Sequence, residues 1–127
     1  MGTAPAGTLH VSIEKLRNHD GLLQVCLTTN PKRFPNCVGD LAAHRLSQPA
    51  TNPNVAFTGL PSGDYALAVF HDENANKRLD KVMMVPREGY GFSRDAAVRF
   101  GPPRFADAAF PVTAGDTQQS LKMRYLL

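Results

Sequence analysis

No run among the 127 residues approaches the roughly 18 consecutive apolar side chains that cross a bilayer as a helix, which excludes a helical membrane span. Charge of one sign is scarce too. With 14 Lys and Arg against 11 Asp and Glu, the formal net charge is +3, too small and too dispersed to mark a nucleic-acid partner. No internal repeat, coiled-coil heptad or low-complexity tract is present, and none of the GxSxG, HExxH or P-loop signatures occurs. His10, His19 and His44 lie in unrelated segments without metal-ligand spacing. Met1–Gly7 has neither the positive nor the apolar region of a secretory signal, so any export signal is expected outside this stretch.

What is there reads as β-structure. Hydrophobic residues make up 43% of the chain, enough for one core, and the 10 Gly and 10 Pro cluster between short apolar runs as turns do between strands. Leu9, Val11 and Ile13 alternate with polar neighbours; Asp20-Gly21 signals a hairpin turn; Leu22 to Thr28 repeats the alternation. Leu41 to Ser47 is read as a strand, although Ala42-Ala43 favours helix. Asn54 to Thr58 is a short strand before the turn Gly59 to Asp64, and Tyr65 to Phe70, apolar on both faces, is a central strand. Alternation dissolves from His71 to Arg104 and resumes at Ala109 to Val112 and at Leu121, Met123 and Tyr125. The expected fold is an all-β antiparallel sandwich, immunoglobulin-like or transthyretin-like, of about seven strands with one long inserted loop. A single domain is expected over residues 8–127, after a disordered segment 1–7.

The two cysteines, Cys26 and Cys37, flank a Pro-rich segment and form an even set, as a bridge in an oxidising compartment would require; two unrelated buried thiols are the alternative. A bridge over so short a loop contributes roughly 3 kcal/mol by the chain-entropy argument.

The densest chemical signal is His71-Asp72-Glu73-Asn74-Ala75-Asn76-Lys77-Arg78-Leu79-Asp80. Asp72, Asn74, Asn76 and Asp80 follow the alternate spacing of a calcium loop, with the Arg78 carbonyl free to serve between them and Glu73 or Glu88 needed to complete the shell. Against this, Lys77 stands where such a loop turns on Gly, and Met83 where it has a bidentate Glu. The competing reading is an Asx-rich turn whose side chains bond the loop's own backbone.

The runs FTGLPSGDYALAVFHDENANKRLD (57–80), PREGYGFSRD (86–95) and GPPRFADAAF (101–110) resemble a bacterial family of small secreted domains, domain of unknown function number twenty-one forty-one. The likeness lies in a turn of LPxGxYA type, an HDxNxNxxxD loop and an EGYGFS segment, and it covers nearly the whole chain. It implies an extracytoplasmic location, periplasmic or secreted, and a sandwich fold without an established activity. The family's loop carries Gly where this chain has Ala75 and Lys77.

Tyr90 and Phe92, in the glycine-flanked segment, either contact a ligand together with His71 and Glu73 or plug the open end of the sandwich. An enzyme would use His71 as base with Asp72, Glu73 or Glu88, a small hydrolase-like site on the 71–95 loop. The preferred reading is a structural or binding module, not an enzyme. It acts on an envelope protein or small ligand, as a monomer or weak dimer with Ca²⁺ as its one cofactor candidate and no nucleic-acid partner.

Overall fold

The computed structural model describes residues 6–35, 37, 40–73, 81–82, 85–86, 89–98 and 101–125. The strands are β1 (Ala6–Glu14), β2 (Leu22–Thr28), β3 (His44–Pro49), β4 (Asn54–Pro61), β5 (Gly63–Asp72), β6 (Lys81–Val82), β7 (Val85–Pro86), β8 (Gly89–Phe92), β9 (Phe110–Val112) and β10 (Gly115–Lys122). A 3-10 turn, Ser93–Asp95, and a single helical turn α1, Phe105–Ala108, lie between β8 and β9. One sheet has the order β10-β1-β4; the other runs β3-β2-β5-β8, with β9 also on β5; β6 and β7 pair with each other.

The all-β sandwich follows from the alternation. Leu9, Val11 and Ile13 of β1 face Leu23, Val25 and Leu27 of β2 and Leu67 and Val69 of β5, all buried in one core with Phe57, Leu60, Phe110 and Leu121. Each fully buried Leu contributes about 2 kcal/mol through removal of its apolar surface from water. β5 is covered on its other face as well, where Ala68 packs with Tyr90 and Phe92 and is flanked by Phe34, Phe70, Ala96 and Val98. Cys26, on this outer face of β2, is disulfide-bonded to Cys37 and ties the 29–43 loop to the sheet.

Several local expectations are corrected. Asp20-Gly21 does not close a hairpin: β1 pairs with β4 and β10, β2 with β3 and β5, so the turn carries the chain from one sheet to the other. Stacking face to face buries the apolar rows of β1 and β2 against each other, which side-by-side pairing would not do. The pairing of β1 with β10 is parallel. Residues 41–43 form a turn, and the third strand begins at His44, where Pro49 ends an exposed edge. β4 runs through Gly59 and Leu60 to Pro61, leaving Ser62 alone between β4 and β5. The long excursion is shorter than expected, because β5 extends through Asp72 and Gly89–Phe92 is a strand of the same sheet.

The two sheets are joined along one side by the C-terminal segment. Met123 N–H donates to the Glu14 carbonyl of the first sheet, and Tyr90 and Arg124 exchange backbone hydrogen bonds of 3.0 and 2.8 Å with the second. This turns residues 123–125 across the end of the core, beside His71.

Candidate functional site

Along β5, Tyr65, Leu67 and Val69 point into the core, and the next residue of that row is His71. An imidazole therefore occupies the last core position before the chain leaves for the Asx-rich segment. It is fully buried. A ring so placed needs partners for both nitrogens, because an unpaired buried polar group costs about 1–3 kcal/mol. Nε2 lies 2.7 Å from the Asp20 carbonyl and Nδ1 lies 2.8 Å from the Tyr125 hydroxyl. A carbonyl only accepts, so Nε2 carries the proton, and in the neutral ring Nδ1 accepts from Tyr125. The Tyr125 oxygen in turn accepts the Arg17 backbone N–H at 3.2 Å. Three segments, the 15–21 crossing, the end of β5 and the C-terminal segment, thus meet at one side chain.

The cluster continues outward. The Arg17 guanidinium lies 4.5 Å over the Tyr125 ring, and its Nε–H donates to Glu73 Oε1 at 2.6 Å. That carboxylate sits 3.9 Å from His71 Nδ1. The hydrogen bond from Arg17 holds the Glu73 carboxyl below the usual carboxylate range, against a smaller opposing effect of burial. Burial pushes the Tyr125 phenol up, which keeps it protonated and able to donate.

Glycines make room for Tyr125. On β8, Gly89 lies opposite His71 and Gly91 opposite Val69, so both belong to the inner row, while Tyr90 and Phe92 face outward. A Cβ at Gly89 would stand 2.3 Å from Cε2 of Tyr125, and one at Gly91 would stand 2.6 Å from Leu121 Cδ1 and 2.9 Å from Met123 Sδ. The Gly-Tyr-Gly-Phe alternation is therefore a strand with a bare inner face, filled by the C-terminal segment, and an aromatic outer face.

The residues singled out in the sequence fall into separate places. His71 and Glu73 lie in the cluster just described. Asp72 points to the opposite face of β5, is buried, and accepts from Gln24 Nε2 at 3.3 Å. Tyr90 and Phe92 are buried side by side, with ring centroids 5.7 Å apart, on that outer face and away from His71. Asn74, Asn76, Arg78, Asp80 and Glu88 lie outside the described residues. Arg17, Asp20, Gly21 and Tyr125 belong to the site and were not singled out for it from the sequence. The alternating glycines of the 89–92 strand were the available signal, since a vacated strand face must be filled by something large.

A family described as an uncharacterized protein conserved in bacteria, DUF2141, matches residues 11–120. The chain belongs to this family. No curated protein and no solved structure matches it. The DUF2141 match runs from the middle of β1 into β10, so it takes in both sheets and His71; Tyr125 lies beyond its end.

Two predictions arise here. Gly89→Ala drives a methyl into the Tyr125 ring and displaces the hydroxyl from His71, at an expected cost of about 2 kcal/mol in urea denaturation. Tyr125→Phe removes the same hydrogen bond at a cost of about 1 kcal/mol. The double variant is expected to lose less than the sum, because both changes break one contact; strict additivity would dissociate Gly89 from the Tyr125 bond.

Glu73 sets an acid sensitivity. Its folded carboxyl is held below the ordinary value, so its contribution is present above the unfolded pKa of about 4.3 and disappears as pH falls through the lowered folded value. Melting temperature measured downward from pH 6 is expected to fall less steeply in Glu73→Gln than in the parent, and identical slopes would remove Glu73 from the acid response.

Proposed function

We propose that the chain is an extracytoplasmic structural or binding module, a rigid sandwich that presents the segment after Glu73 to an envelope protein or small ligand. The observation that carries this reading is His71, fully buried with Asp20 and Tyr125 on its two ring nitrogens, at the point where that segment leaves β5. Such a ring braces a loop base. A general base needs a nitrogen within reach of the proton it takes. Loops carried by packed sheets are held with low ordering cost, which suits recognition. A buried disulfide in a domain of this size supports an oxidising compartment.

Diethyl pyrocarbonate labelling with peptide mass spectrometry tests the role of His71. In the folded protein His71 is expected to be protected while exposed His19 reacts; rapid modification of His71 would favour the hydrolase-like alternative instead. Alkylation of protein taken directly from its source cells tests the compartment: a bridged Cys26–Cys37 pair is expected, and reduction should cost about 3 kcal/mol of stability. Two free thiols would overturn the extracytoplasmic assignment. Calcium belongs to this reading as a ligand of the loop oxygens that begin at Asp72. Millimolar Ca²⁺ is expected to raise the melting temperature, and a flat response removes the metal while leaving the module.

A further inference from the structure

β2 runs from Leu22, opposite Asp72, to Thr28, opposite Ala66, so the loop that follows it lies at the other end of the sandwich from His71. There a groove of about 530 Å³ opens between two walls. Pro31, Phe34 and Pro35 form one wall, and Pro102, Pro103, Arg104 and Phe105 form the other.

Both walls are held in place. The first is tied to β2 by the Cys26–Cys37 disulfide and folded by backbone bonds from Arg33 to Asn30 and from Cys37 to Arg33. Asn30 Oδ1 accepts the Lys32 N–H at 3.0 Å and closes the turn. The second wall enters α1, where the Asp107 N–H donates to the Arg104 carbonyl. Phe34 and Phe105 meet edge to face at 6.2 Å, and Phe34 also packs on Phe92 of the outer cluster at 5.9 Å. A preformed groove binds without first ordering itself.

Its chemistry narrows the occupant. Four of the lining residues are prolines, which carry no N–H and give an added β-strand little to pair with. Proline and phenylalanine rings instead pack against a polyproline II segment, whose backbone stays solvated and whose conformation is already set. The rim is cationic. Lys32 and Arg33 are exposed on the turn of the first wall, and the Arg104 side chain is 85% exposed on the second. Asp107 faces Arg104 at 3.7 Å across solvent, a contact too exposed to cancel the field of three cations.

We propose that this groove docks an extended, proline-bearing acidic segment of a partner protein, its rings seated on the paired Phe34 and Phe105 and the flanking prolines and its carboxylates on Lys32, Arg33 and Arg104. The site is distinct from the His71 end, so its failure would leave the proposed role of that end untouched.

Fluorescence anisotropy with a labelled peptide of repeated Pro-Pro-Asp units tests it, against Pro-Pro-Lys and Gly-Gly-Asp controls. The acidic proline peptide is expected to bind at least about tenfold more tightly than either control. Arg104→Glu, a change at an exposed side chain, is expected to weaken it about tenfold with no change in melting temperature, and Phe105→Ala to weaken it comparably. Reduction of the disulfide should also weaken binding by releasing the first wall. Equal affinity for the lysine peptide, no saturation at millimolar peptide, or an unchanged affinity in Arg104→Glu overturns the proposal. So does tighter binding to phosphatidylglycerol vesicles than to the peptide, or a dimer in sedimentation velocity that Arg104→Glu dissolves, since these assign the groove to lipid or to a second copy.

Discussion

His71→Ala is expected to lower stability by about 4 kcal/mol, a large part of what a domain of this size possesses. Two effects combine. The change empties a buried position where the 15–21 crossing, β5 and the C-terminal segment meet, and it strands the Asp20 carbonyl and the Tyr125 hydroxyl without their partner. Urea denaturation reads the loss directly as a lower midpoint at constant slope. His71→Gln separates the two effects, because its amide N–H₂ can donate to the Asp20 carbonyl while its carbonyl accepts from Tyr125. Recovery of about half the loss is expected. If Ala costs under about 1 kcal/mol, or Gln is no better than Ala, the ring is not what ties the three segments together.

Much of the fold was legible because the core rows of β1 and β2 are written in alternation and β5 is an apolar run covered on both faces, and β2 has the bounds the pattern gives it. What misled was pairing. Asp20-Gly21 supplies the local chemistry of a hairpin, but Gly21 is needed for its close approach to β5 and not for joining neighbours. A turn signal fixes a bend; it does not say which faces the strands on either side must hide. β8 was missed for the opposite reason: Gly89 and Gly91 erase the apolar half of the alternation, since the inner face of that strand is supplied by Leu121, Met123 and Tyr125 from far along the chain. The site divides in the same way. His71 stood out by its neighbours in the sequence, whereas Tyr125 and Arg17 reach it only through the sandwich, at sequence separations no local pattern encodes. The Asx register drew attention to Asp72, but strand alternation turns Asp72 away from His71 toward Gln24. Adjacent residues on a strand cannot serve one site from one face.

The second large effect is expected at Gly21. Its φ of +68° is one that L side chains rarely adopt, and Gly21→Ala there costs about 1 kcal/mol from conformation alone. Gly59, at +67°, has the same φ, yet a Cβ there would meet nothing within 4 Å. At Gly21 the added carbon would stand 2.1 Å from the Asp72 carbonyl oxygen and 2.6 Å from that of Glu73. These are backbone atoms at the end of β5 and cannot swing aside as a side chain would. The Gly21 carbonyl also accepts the Ala50 N–H at 3.1 Å, and the neighbouring Asp20 carbonyl accepts from His71, so relief by moving the turn breaks hydrogen bonds on both sides. Gly21→Ala is therefore expected to cost about 4 kcal/mol and Gly59→Ala about 1 kcal/mol, measured by urea denaturation under identical conditions. With φ matched, the difference between the two reports the contact between the sheet crossing and the end of β5. Equal losses would mean that the crossing does not press on β5, and that His71 is held by its hydrogen bonds without the close packing of the turn beneath it.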